Sequence, residues 1–345
     1  MPWKLEQIPR LTGYTVEWAE PDDYYLSRRN QIYHSADLED AFVEVGSIDA
    51  PLWRRVASRS RLCQRLLRFM VYNLIPLSNG DLFITFDKTI GIFRDGRYIH
   101  VEGLVRPCRV LRSGCAVNAV GDVFFGEYLA NAGRDLVHIY RYRPGSDRLE
   151  VVHTFPPGHI RHIHGLYFDP FTDAVYCLTG DADTECRIIR SSDGFASIET
   201  VGMGDESWRA VSILFSEKHL YFGTDAEHRG NELFSLDRES RQRAQIGKVS
   251  GTVFYSERVG PDMFFTTTAE NAPSQTENVA GLWNVDATGQ LNRIAVFEKD
   301  WWDVRLFMFG TIHFPFENRF DDRLYFSLLG VEGDNSTYCL RRYGQ

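Results

Sequence analysis

Several features that would name a function outright are missing from this chain. Its six cysteines (Cys63, Cys108, Cys115, Cys177, Cys186 and Cys339) include no C-x-x-C pair, so the spacing of a zinc site is absent and buried free thiols are expected. Cys177 and Cys186 flank a hairpin loop, and a cytoplasmic setting would keep them reduced. No apolar run approaches the length of a membrane span. The opening residues MPWKLEQIPRL hold no apolar core of signal-peptide type, so the expected location is the cytoplasm, with no membrane partner. Positive charge is also short. The 38 Lys and Arg against 47 Asp and Glu leave a net charge of −9, which argues against a nucleic-acid partner.

What is present points to β structure. Hydrophobic residues make up 43% of the 345 residues, ample for the core of one large domain, and 14% aromatics with 28 glycines suit short strands and tight turns. Residues 161–198, RHIHGLYFDPFTDAVYCLTGDADTECRIIRSSDGFASI, read as a complete four-stranded unit. A first strand covers 161–168 and turns at Asp169-Pro170; a second covers 174–179. A polar loop over 180–185 leads to a third strand at 186–191, and Ser192-Asp193-Gly194 turns into a fourth.

Looser copies follow the same order. VFFGEY and VHIYRY lie in 106–155, HLYFGTD and NELFSLD in 208–246, MFFTTTAEN and GLWNVD in 252–296, and RLYFSLL and TYCLRRY in 305–343. Upstream, DLFITFD and IGIFRDG occupy 71–101, and YYLS and QIYHSAD occupy 24–45. Repeats of ~40–50 residues imply an all-β fold, a single β-propeller domain over 1–345 with about seven blades, six also fitting the count. The first copy lacks an obvious inner strand and the last an outer one, so residues 14–18 are expected to close the ring against the C-terminal blade.

One segment breaks the pattern. Residues 51–70 read as a helical insertion between the first and second blades, with Val56, Leu62, Leu66 and Phe69 on one face. It carries six arginines, and no acid occurs between Pro51 and Gly80. It reads either as a solvated helix or as an anion-binding lid to which Arg55 would contribute.

In a propeller the starts of the inner strands and the loops between second and third strands share one face, where sites sit. Acids, arginines and histidines crowd there. The inner-strand starts bring Arg106, Arg161, His162, His164, Trp208 and Arg209. The loops bring Glu127, Tyr128, Asp181, Asp183, Glu185, Asp225 and Asn231.

A family resemblance adds to this. SSDGFASI (191–198) looks like a degenerate Asp-box, the S-x-D-G-x-x-x-W turn of sialidase-like propellers, and HSADLEDAF (34–42) is a weaker copy with Ser35, Asp37 and Phe42. The resemblance implies a structural turn in which Asp193 binds backbone N–H groups, away from the catalytic face. It also implies an arginine clamp, for which Arg106, Arg161 and Arg209 are the candidates, and a Tyr/Glu pair, for which Glu127-Tyr128 offers the residue types. Adjacent residues on one strand point to opposite faces, however, and no Arg-Ile-Pro motif occurs. The resemblance therefore implies a carbohydrate-active propeller rather than a true sialidase.

The chemistry then narrows to a few groups. His162 and His164 alternate on a strand and would project to one side about 7 Å apart. They fit a divalent metal with Asp181 or Glu185, a catalytic base, or packing between blades. Glu127, Tyr128, His162, His164 and Asp181 are the candidate catalytic residues. Arg55, Arg106, Arg161, Asp183, Glu185, Trp208, Arg209, Asp225 and Asn231 are the candidate substrate contacts. Planar arginine forks suit carboxylate or sulfate, so the expected partner is an acidic oligo- or polysaccharide bearing uronate, sialate or sulfate. The expected activity is that of a glycoside hydrolase, through a carboxylate pair, or of a polysaccharide lyase, through a base and charge-neutralising arginines. The alternative is a non-catalytic propeller that binds a glycan or a protein.

Overall fold

Apolar alternation broken by Gly, Asp and Asn gives 28 short strands among the described residues, each paired antiparallel with its neighbours in its sheet. In the computed structural model, which describes residues 3–343, the strands form seven four-stranded sheets arranged as the blades of a β-propeller. The blade that served as template runs His162–Asp169, Ala174–Gly180, Arg187–Ser191 and Glu199–Met203. Its first three strands start within a residue of expectation, but the fourth, expected directly after Gly194, starts only at Glu199, beyond the 161–198 segment.

Ring closure differs from expectation. Trp3–Gln7, rather than 14–18, supplies the outer strand of the last blade by pairing with Thr337–Arg342, Leu5 facing Leu340. Thr15–Glu20 is the inner strand that the first blade was missing. Burial explains the exchange. Thr15–Glu20 is enclosed along its four central residues, as a strand lining the ring must be. Trp3–Gln7 is half-exposed throughout, as suits an edge strand. Closing the ring with the N-terminal strand covers the edge that the last blade would otherwise present.

Neighbouring blades approach closely where glycine replaces a side chain. A Cβ on Gly126 would lie 2.5 Å from Ile163 Cγ2 of the next blade, and one on Gly223 would lie 2.5 Å from Val253 Cγ1. Five of the seven inner strands share a further irregularity. Those starting at Thr15, Val71, His162, Ala210 and Val253 all shift register near their first residues. Such bulges release a residue from the ladder and re-aim its side chain.

The 51–70 segment forms two short helices, α1 (Leu52–Ala57) and α2 (Arg61–Leu66), interrupted at Ser58-Arg59-Ser60. Serine favours caps and breaks over helix interiors. The expected apolar face does not pack inward as a unit. Phe69 is buried, but Val56, Leu62 and Leu66 are exposed. Arginines turn inward instead, because acids await them. Arg54 binds Asp87 at 2.8 Å, Arg61 binds Asp334 through two nitrogens at 2.7 and 2.8 Å, and Arg65 binds Asp300. No helix among the described residues is long and apolar enough to cross a membrane.

Candidate functional site

The bulge in the template blade falls at His164, between Ile163 and Gly165. It turns the ring inward, so the His162 and His164 ring centroids stand 5.2 Å apart, closer than regular alternation predicts. Both rings are held by backbone. His162 Nδ1 lies 3.0 Å from the Leu129 carbonyl oxygen and His164 Nδ1 lies 2.9 Å from that of Ala210. A carbonyl oxygen only accepts, so each Nδ1 carries the proton and each Nε2 presents a lone pair.

Asp181 faces those lone pairs. Its carboxylate oxygens lie 3.4 Å from His162 Nε2 and 3.7 Å from His164 Nε2. The three ligand atoms fall within 4.8 Å of one another. Two imidazole lone pairs and an anionic oxygen repel one another unless a cation or a proton lies between them. Burial, with the neighbouring His164 ring, pushes His162 down to about 4, so a proton is disfavoured at neutral pH. This donor set suits a divalent cation, with the backbone carbonyls orienting its imidazole ligands.

Asp181 is also placed with strain. Its φ of 127° lies in a region sparsely populated by non-glycine residues, at a cost of about 1–3 kcal/mol, and such strain collects at functional sites. Gly180 beside it permits the close approach. A Cβ there would meet Arg209 Cγ at 2.9 Å and His164 Cε1 at 3.3 Å.

Arginines surround the carboxylate. Arg161 Nη1 donates to it at 3.0 Å and Arg209 Nη2 stands 3.0 Å away. Burial opposes ionisation, but the cationic surroundings, the Arg209 guanidinium among them, hold the Asp181 carboxyl well below the usual range. Arg209 also donates through Nε to Asp225 at 3.0 Å. Asp225 behaves differently. Burial pushes it up to about 7, Arg209 only partly offsetting this and Glu270 adding to it. Tyr128 packs against His162, ring centroids 4.3 Å apart and planes tilted by 46°, and burial, followed by the charge of Asp225, pushes its hydroxyl up to about 12.

Tyr128, Arg161, His162, His164, Asp181, Arg209 and Asp225 therefore come together. The other expected residues do not join them. Glu127 is fully enclosed on the opposite side of its strand, bonded to Arg106 at 2.7 Å, the Tyr140 hydroxyl at 3.0 Å and the His138 N–H at 3.0 Å. Glu127 therefore takes no catalytic place, contrary to expectation. Arg106, which pairs with Glu127 and not with Asp181, does not stand with Arg161 and Arg209 at the site, which leaves two arginines there rather than three. Glu185 anchors Arg134 at 2.8 Å and the Arg161 N–H at 2.9 Å. Asn231 is buried, bonding Thr224, Ala226 and Ser274. Trp208 packs over Gly202 under the Arg243 guanidinium, 4.4 Å from its ring centre. Asp183 is exposed and, with Asp205 and Arg229, lines a cavity of about 480 Å³ that Asp181 also borders. Arg55 is exposed on α1 and pairs with no acid among the described residues.

Two contributors escaped the list of site residues. Glu270, bonded to Thr252 and Thr268, adds negative charge beside Asp225 and Tyr128. Arg68 counters it at Tyr128. The polar loop after MFFTTT marked the first of these. Nothing in the arginine run set Arg68 apart from its neighbours. The Asp-box-like turn forms as expected: Asp193 accepts from the Ser197 N–H at 2.9 Å, and Ser191 Oγ accepts from the Phe195 N–H at 2.8 Å.

No family model matches the chain, and neither does any curated protein. Solved structures do match over its full length. An oligogalacturonate lyase in complex with manganese superposes with a TM-score of 0.64 at 9% identity, over 100% of this chain and 97% of that one. The extracellular domain of a putative hybrid two-component system, BT4673 from B. thetaiotaomicron, gives 0.61 at 13% identity, over 99% of this chain and 40% of that one. A chain of a mitotic checkpoint complex gives 0.58 at 11%, over 99% and 94%. The likeness is one of fold. A lyase, an extracellular domain of a two-component system and a checkpoint assembly share it, so activity must be argued from the site.

Proposed function

We propose that this propeller acts on an anionic glycan by β-elimination next to a uronate carboxylate, with a divalent cation held by His162, His164 and Asp181. The observation that carries the reading is the convergence of two tautomer-fixed Nε2 lone pairs and a strained carboxylate, flanked by two arginines. A cation bound there supplies positive charge that a substrate carboxylate can share. Arg161 and Arg209 extend that charge and stabilise the negative charge that grows as the carbon acid is deprotonated. Asp225, with a pKa near neutrality, is suited to take the proton from the carbon bearing the carboxylate. The electrons of that C–H bond form the double bond as the adjacent C–O bond to the departing sugar breaks. Tyr128, kept protonated by burial, gives a proton to the departing oxygen.

Elimination is favoured over hydrolysis by the carboxylates available. A hydrolase needs two that flank one bond. Here Glu127 is sequestered and Asp181 is held ionised among its partners, which leaves Asp225 alone in the range for proton transfer. The Asp-box resemblance and the manganese-bound lyase neighbour are compatible with the reading.

The test is turnover of uronate oligomers, followed by the ultraviolet absorbance of the conjugated product. Activity should vanish with a chelator, return with manganese or another divalent ion, and fall at least tenfold in His164→Ala. Absence of cleavage of any uronate polymer in the presence of divalent ions would overturn it.

A further inference from the structure

A second surface leads away from the centre. Glu270, which acts on Asp225 and Tyr128, also lines a groove of about 610 Å³ with Asn271, Asn278, Lys299, Trp301 and Trp302. At its far side Trp301 is 88% exposed. An indole this bare is unusual on a well-packed rim, and here it rests on a fixed base. Trp301 meets Trp302 edge to face at 5.7 Å, and Trp302 lies under the Arg65 guanidinium at 4.5 Å and against Phe307 at 5.4 Å. Lys299 donates to the Trp302 carbonyl at 3.0 Å and binds Asp300, which in turn holds Arg65. The loop is thus ordered before any ligand arrives, which removes part of the cost of binding.

We propose that this groove is an outer subsite on which a neighbouring ring of an oligomeric substrate stacks. The inference rests on the function proposed above and extends it: the substrate is an oligomer longer than the disaccharide unit that the elimination itself requires. Trp301 supplies an apolar face for the C–H side of a sugar ring, and the Asn271 and Asn278 amides supply donors and acceptors for hydroxyls. Lys299 is committed to Asp300 and Trp302, and Arg305, which also lines the groove, pairs with Asp303, so the sugar is held mainly by stacking and amide contacts. The charged recognition stays at Arg161 and Arg209.

Trp301→Ala is the test, assayed on a uronate disaccharide and on the corresponding hexasaccharide. The expected result is a KM for the hexasaccharide raised about tenfold, the worth of one aromatic contact, with kcat and the disaccharide KM unchanged. Trp301→Phe should restore most of the loss. Equal effects on both lengths, or none on either, would overturn the subsite while leaving the elimination reading intact. If the wild type cleaves no uronate, that reading falls by itself, and retardation in gels containing polygalacturonate then decides the subsite. Retardation lost in Trp301→Ala supports it, and no retardation of the wild type overturns it.

Discussion

Replacing Gly126 by alanine should damage the site from a distance. The new Cβ would stand 2.5–2.6 Å from three carbons of Ile163, where carbon atoms at rest prefer about 3.5–4.0 Å. A displacement of about 1 Å is required. Gly126 has no unusual backbone angle, so the penalty is purely steric. Ile163 cannot retreat freely, since it is buried in a cluster with Ala116, Phe124 and Ile139. Overpacking of this kind costs about 1–3 kcal/mol, and urea unfolding should report it. Ile163 also sits between His162 and His164, so the same displacement spreads the Nε2 pair. Metal distances tolerate only about 0.2 Å, and cation affinity measured by calorimetry should fall at least tenfold. Ile163→Ala alone should cost about 2–5 kcal/mol through the cavity it leaves. Combined with Gly126→Ala it removes two of the three clashing carbons, so the double variant should be less destabilised than the sum by at least about 0.5 kcal/mol. Strict additivity would refute the reasoning. Gly230→Ala, which meets nothing within 4 Å, is the control.

Gly180→Ala should weaken cation binding while leaving the blades folded, because its Cβ would press on Arg209 and His164; an unchanged dissociation constant by calorimetry would count against the site. Asp225, raised by burial to about 7, contributes stability below its ordinary carboxylate pKa that is lost as pH rises through 7, up to about 4 kcal/mol. Asp225→Asn lacks that loss, so its melting temperature relative to wild type should climb from pH 5 to pH 8, and a pH-independent difference would show an ordinary carboxyl. The buried pair of Arg112 and Glu17, 2.5 Å apart, should cost about 3–5 kcal/mol when Arg112→Leu strands the carboxylate. Chemical denaturation of that variant beside the Arg112→Leu, Glu17→Leu double, which should recover most of the loss, separates stranded charge from lost packing.

The repeats were legible because a blade is a local object. Its strands pair with sequence neighbours, its turns need Gly, Asp or Asn, and its alternation shows along the chain. The Asp193 turn belongs to the same class and formed as read. Ring closure was not local. Choosing between Trp3–Gln7 and Thr15–Glu20 depended on which strand the closed ring would enclose, a property that neither segment carries alone.

The site divides along the same line. Residue types and alternation placed His162, His164, Asp181, Arg161 and Arg209 on one face, and alternation also warned that Glu127 and Tyr128 would part company. Only the folded ring decided that Glu127 would be enclosed, and that a bulge would turn His164 toward His162. It alone joined Asp181 and Asp225, far apart along the chain, through one arginine. It also left the apolar ridge of α1 and α2 exposed while their arginines turned to acids on three other segments. Sequence determined the blades and the residue types on one face of the ring, because both follow from short-range patterns. Tertiary structure decided which of those groups meet and which lose their charge, because distances across the ring and burial are set by all seven blades together.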